Sequence, residues 1–174
     1  MKQLMMRHSE STAPSNFMPC GFAVLPFRKG DEAAWLAIVR YGLFSEKMTL
    51  EEAEKDLKGF PCLKREEDIF FAARDGKRIA TATGMLKEDG TGYLHYICAL
   101  PEARGTGVAA ALVAHAMRHL YEKGASFVYL TTDDFRLGAI KTYLRLGLVP
   151  VIEDSEDEKR WRAVFLALGI ERKI

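Results

Sequence analysis

Arg104-Gly105-Thr106-Gly107 sets a fixed cation and two glycines directly before an apolar segment beginning Val108-Ala109, a combination suited to holding a phosphate. Four backbone N–H groups at a helix start have no carbonyl partner, and the macrodipole concentrates partial positive charge there. Glycines carry no Cβ, so a phosphate oxygen can come close to the backbone, while the guanidinium adds several donors. Gly105-Thr106-Gly107-Val108-Ala109-Ala110 also fits the loose dinucleotide pattern G-x-G-x-x-A. In dinucleotide folds, however, the glycines follow the opening strand almost at once, whereas here Pro101 to Arg104 intervene and about a hundred residues precede. No Gly-Lys-Ser/Thr follows, which removes a Walker-type loop. A plain glycine-containing turn between strand and helix is the alternative without a ligand.

The elements around the loop decide where such a ligand would lie. Val108, Ala109, Leu112, Val113, Ala116, Met117 and Leu120 fall within one arc at about 100° per residue, the mark of an amphipathic helix. That helix should stop near Lys123-Gly124, and Phe127 to Leu130 reads as a short buried strand. With Tyr93 to Leu100 before the loop, this strand, helix and strand predict a right-handed parallel unit. Thr131-Thr132-Asp133-Asp134 then lies beside the loop, at the carboxyl end of its strand, where open sheets place ligands.

Upstream, Gly21 to Phe27 reads as a strand, and Asp31 can cap a helix with Ala34, Trp35, Ile38 and Val39 on its inner stripe. Thr49 and Glu52 form a capping box for a second helix, stopped by Gly59 and Pro61. Ile69 to Ala73, Ile79 to Leu86 and Tyr93 to Leu100, joined by turns at Asp75-Gly76 and Asp89-Gly90, predict an antiparallel meander. Downstream, a helix over about Arg136 to Leu146 carries Tyr143 one turn before Gly147, and Val149 to Ile152 can add an antiparallel strand. Ser155 with Glu158 would cap a last helix, striped by Trp161, Val164, Phe165 and Leu168. Residues 1–19 mix Ser, Thr, Pro, Asn and Met without period and are expected to form a flexible tail with a solvated His8; residues 20–174 are expected to form one domain.

Composition narrows the partners. The 174 residues are 48% hydrophobic and 28% charged, enough for a substantial core. A net charge of +1 argues against a dominant nucleic-acid or membrane field. Cys20, Cys62 and Cys98 show no metal spacing, and Met1 to Cys20 has no apolar core of signal-peptide length, so the expectation is a cytoplasmic chain with free thiols. His115 and His119 have metal-like i, i+4 spacing without a third ligand and are expected at the surface, so no metal is expected.

Arg104-Gly105-Thr106-Gly107-Val108-Ala109 resembles the R-x-x-G-x-G/A signature of the GCN5-related N-acetyltransferase (GNAT) superfamily, and Ala139-Ile140-Lys141-Thr142-Tyr143-Leu144-Arg145-Leu146-Gly147-Leu148 is similar to its A-x-x-x-Y-x-x-x-G-F segment, with Leu148 replacing Phe. The resemblance covers roughly residues 21 to 152. It implies an α/β (α+β) fold with a mixed, mostly antiparallel sheet, a central parallel pair splayed at the cofactor site, and helices on both faces. The C-terminal helix is atypical, because the family usually closes with a strand there.

The implied chemistry is transfer of an acetyl group from acetyl-CoA to an amine of a small molecule or protein. The implied pyrophosphate contacts are Arg104 and the backbone of Gly105, Thr106, Gly107, Val108 and Ala109; the oxyanion donor would come from the backbone of Ile97 to Ala99, including Cys98. Tyr143 matches the tyrosine that protonates the departing sulfur, and a phenol with an ordinary pKa near 10 suits a proton donor. Attack requires a neutral amine, and the strand Tyr93-Leu94-His95-Tyr96 lacks the glutamate many relatives use there. His95, Asp133 and a solvent relay are the open alternatives. Arg136 stands where the family often has asparagine, and can pair with Asp133 and Asp134 or reach the cofactor. Cys98 nominates an acyl-cysteine route, against which stands the usual inertness of a cysteine in an apolar strand. Homodimers are common among similar proteins, though no residue here specifies one. A non-catalytic CoA-binding module and a dinucleotide-dependent oxidoreductase are the competing functions.

Overall fold

The computed structural model describes residues 2–171 apart from 11, 12 and 16. Its strands are β1 (Leu4–His8), β2 (Ala23–Pro26), β3 (Ile69–Arg74), β4 (Lys77–Leu86), β5 (Gly92–Ala99), β6 (Val128–Thr132) and β7 (Val149–Val151). Its helices are α1 (Glu32–Gly42), α2 (Leu50–Lys58), α3 (Arg65–Asp68), α4 (Val108–Glu122), α5 (Leu137–Arg145) and α6 (Ser155–Leu168). The strands form one sheet in the order β2-β3-β4-β5-β6-β1-β7, antiparallel throughout except for the pair β5 and β6. This is the expected mixed sheet.

Alternation along β3 sorts the core into two parts. Ile69 and Phe71 face Trp35, Ile38, Val39 and Leu57 of α1 and α2, while Phe70 and Ala72 belong to the cluster of Leu112, Ala116 and Met117 of α4. The Thr49–Glu52 capping box is formed, with the Glu52 N–H donating to the Thr49 hydroxyl at 3.2 Å. Asp31 lies at the cap of α1 without capping it; its carboxylate instead accepts from the Arg28 N–H and pairs with Arg78 at 2.6 Å.

The expected tail is corrected at its start. Leu4–His8 is an inner strand, antiparallel to β6 on one side and to β7 on the other. Leu4, Met6 and His8 are buried, so the five residues alternate as a strand should. Their Leu, Met, Arg and His composition hides this, because the pairing partners lie more than a hundred residues away and supply no local signal. His8 is therefore not solvated: its Nδ1 is 2.6 Å from the Tyr121 hydroxyl, and burial lowers its pKa.

The C-terminal helix is present, one residue out of the expected frame. Asp154, rather than Ser155, accepts from the N–H groups of Glu156 and Asp157 at 2.9 and 2.8 Å. The sheet ends on β7, with the N-terminal strand β1 between it and β6, and α6 packs Trp161 and Phe165 into the same cluster as Leu4 and Met6. His115 and His119 are also corrected: both are half-buried, edge-on to Phe70, with His119 Nε2 3.0 Å from buried Asp68.

Candidate active site

Two departures from regular pairing open the middle of the sheet. β5 and β6 pair only at Gly92↔Val128 and Tyr93↔Tyr129, and then diverge. On the other edge of β5, the register passes from Thr83↔His95 to Thr81↔Cys98, so Tyr96 and Ile97 stand opposite the single residue Ala82. Tyr96 has φ +46°, in the left-handed region. A bulge frees backbone groups and flips the faces of the residues beyond it. Leu94 accordingly packs with α4, whereas Tyr96 and Cys98 pack with α1.

The first cavity, of about 610 Å³, lies between the end of β5, the start of α4 and the side of α5. Ile97, Cys98, Ala99, Arg104, Gly105, Gly107 and Ala109 of the expected set line it, joined by Ala110 and Arg145. The loop is built for close approach. Gly105 and Gly107 have φ +72° and +80°; Gly107 at the N-cap offers no side chain, and among the first N–H groups of α4 that of Val108 donates to the Thr106 hydroxyl at 3.3 Å. A Cβ on Gly105 would meet nothing within 4 Å, so its glycine answers to backbone conformation and leaves open space over the loop. Thr106 and Val108 turn away from the cavity: the Thr106 hydroxyl donates to the Ala103 carbonyl at 2.7 Å, and Val108 is buried in the core. Arg104 is held at the rim by α1, its Nη2 donating to the Tyr41 hydroxyl at 2.6 Å.

Cys98 Sγ donates to the Ile38 carbonyl at 3.1 Å, and burial raises its pKa, with the Ala99 N–H opposing. The thiol is thereby kept protonated, which disfavours it as a nucleophile.

The second cavity, of about 350 Å³, occupies the cleft between β5 and β6. His95 and Asp133, the two candidate bases, line it, and so does Arg136, which the sequence reading also offered to the cofactor. Arg136 Nε donates to Asp133 at 2.8 Å and its Nη1 to the Gly42 carbonyl at 2.6 Å, so it is engaged on this side. Asp134 turns elsewhere and receives Arg160 Nε at 2.9 Å. Burial acts to raise the Asp133 carboxyl, but hydrogen bonds from Arg136 and Gln3 outweigh it and hold the group below the usual range. With both oxygens engaged, Asp133 is an anionic fixture and a poor proton acceptor. Burial lowers His95 to about 4, leaving a neutral imidazole at pH 7.

Gln3, Phe44 and Asp56 also line this cavity, and none was legible beforehand. Asp56 sits on the polar side of an amphipathic helix, and Gln3 immediately precedes the strand in the segment read as a tail; nothing local marks either. Arg145 was within reach, since it lies two residues after Tyr143 inside the segment already singled out.

Ile97, Ala139 and Tyr143 line both cavities. Tyr143 is 5% exposed, and its hydroxyl has no hydrogen-bond partner among the described residues. Burial raises its pKa, Arg136 opposes and Cys98 adds to the rise, so the phenol holds its proton at the junction.

Residues 32–148 match the profile of the Acetyltransferase (GNAT) family. The chain belongs to that family. The matched GNAT span runs from α1 to the end of the Tyr143 segment and leaves β1, β2, β7 and α6 outside it. Mycothiol acetyltransferase of Streptomyces griseus is 29% identical over 134 residues, covering 75% of this chain and 44% of that protein. The one from Streptomyces bingchenggensis is 32% identical, covering 77% and 45%. A GCN5-related N-acetyltransferase from Sphaerobacter thermophilus shares the fold with a TM-score of 0.73 and 24% identity, over 86% of this chain and 48% of that one. The chain spans about half the length of the curated relatives it matches.

Proposed function

We propose that this chain transfers an acetyl group from acetyl-CoA to a primary amine by direct attack. The carrying observation is that a glycine-rimmed cavity with two arginines meets a second, acidic and aromatic cavity at one buried, unpartnered phenol. Acetyl-CoA supplies the acetyl thioester. The residues fit it: the glycine-capped start of α4, Gly105, Gly107 and the arginines Arg104 and Arg145 provide anion contacts, and the apolar wall of Ile97, Leu112 and Val113 accepts an extended chain.

Backbone N–H groups at the end of β5, from the bulged residue Ile97 to Ala99, can donate to the developing oxyanion. Tyr143 holds a proton for the departing sulfur. His95, uncharged at neutral pH and on the wall of the acceptor cavity, can pass the amine's proton onward; its low basicity makes it a relay rather than a store.

Calorimetry with acetyl-CoA on the wild type and Arg104→Ala, with NADH as competitor, tests this reading. The expected result is acetyl-CoA binding weakened about tenfold or more by the substitution, the scale of a charged hydrogen bond. Absence of binding, or a preference for NADH, would overturn it.

A further inference from the structure

The acceptor cavity contains a carboxylate that no cation among the described residues pairs. Asp133 is tied to Arg136, but Asp56 takes part in no ion pair and receives only the Tyr96 hydroxyl. That hydroxyl is firmly placed. The Tyr96 ring meets Trp35 at 5.0 Å, Phe44 at 6.0 Å and Phe60 at 5.9 Å between centroids, and its backbone is held at φ +46° by the bulge. Phe44, His95 and Tyr96 line the same cavity, so an uncompensated negative charge stands among aromatic faces. Carboxylate and ring quadrupole then attract a cation together. A separate observation points to a ligand here: the Tyr143 phenol, 95% buried by its 5% exposure and without a partner, opens into this cavity.

We propose that Asp56 is the docking carboxylate for the acceptor, which enters as a protonated primary ammonium with a compact apolar body laid against Phe44 and Tyr96. This rests on the acetyl-transfer reading for its purpose, though its binding can be measured separately. The site would favour a cationic amine over a neutral alcohol of the same shape and reject anionic acceptors.

The test is a titration of the wild type, Asp56→Asn, Asp56→Glu and Tyr96→Phe with n-butylammonium chloride and with its neutral counterpart 1-butanol, followed by NMR shifts of the cavity aromatics. Butylammonium should perturb the wild type at concentrations at least tenfold lower than butanol. Asp56→Asn should remove that difference, while Asp56→Glu and Tyr96→Phe, which keep the charge, should retain most of it. Equal response to the two probes, no response to either, or a preference that survives Asp56→Asn would overturn the proposal. The wild-type comparison decides even if a variant fails to fold. Acetyl-CoA calorimetry on the same samples separates the readings: lost cofactor binding counts against acetyl transfer, and lost ammonium preference counts against Asp56.

Discussion

The two cavities that meet at Tyr143 are built on different principles. The side proposed for the cofactor is largely a continuous run, Ile97 through Ala110, in which backbone conformation and a glycine-led helix start would do most of the work. The side proposed for the acceptor is assembled from side chains on separate segments: Gln3 just before β1, Phe44 after α1, Asp56 on α2, His95 on β5, and Asp133 with Arg136 after β6. A backbone-built site makes few demands on side chains and so carries one signature across many proteins. A side-chain-built site can be rewritten one position at a time, which suits the half of the reaction that chooses a substrate.

Replacing Tyr143 by Phe probes the junction and should have the largest effect. Turnover should fall by about two orders of magnitude, the scale of a lost general acid, with acetyl-CoA affinity unchanged. Steady-state kinetics beside calorimetry check this; an equal loss in affinity would mean that Tyr143 belongs to the cofactor side alone.

Next in size is a difference in acid tolerance. Burial lowers the pKa of His95 to about 4 from the ordinary 6.5, so the unfolded chain binds a proton across that window while the folded chain does not. The stabilisation from the neutral imidazole is full above 6.5 and declines as pH falls toward 4, by about 2 kcal/mol at pH 4.5. His8 and His115, also lowered by burial, act in the same direction. Denaturant unfolding at pH 7 and 4.5 should show the loss, and His95→Gln should reduce it; an undiminished loss in the variant would assign it to the other histidines.

Gln3→Ala should have the smallest effect. Gln3 donates to Asp133 at 3.1 Å and accepts from the Thr131 hydroxyl at 2.9 Å. Removing it should raise KM for the amine about threefold, less than a hydrogen bond to a charged group is worth because Gln3 acts on the amine only through Asp133, and leave acetyl-CoA binding unaltered. A change in cofactor affinity would blur the division between the cavities.

Legibility in the sequence follows the same division. The strand, loop and helix around Arg104 are contiguous, so spacing and periodicity alone identified them, and Tyr143 could be matched because its segment is also unbroken. Arg136 had two readings, cofactor contact or ion pair, and only the geometry at Asp133 chose the pair. The Tyr96 bulge escaped notice because alternation in Gly92–Ala99 looks regular from end to end, although the face it presents changes midway.

By itself the sequence determined the order of the central elements, the anion-ready loop and the tyrosine that follows it, because each is written in a short run of residues governed by local periodicity, glycine conformation and helix polarity. The tertiary structure alone decided that Leu4–His8 completes the sheet between β6 and β7, at which residue pair the splay implied by the family resemblance begins, and that Gln3, Asp56 and Asp133 share one cavity. Those outcomes depend on pairing and packing between distant segments, and no local pattern encodes which distant partner a strand or a carboxylate will meet.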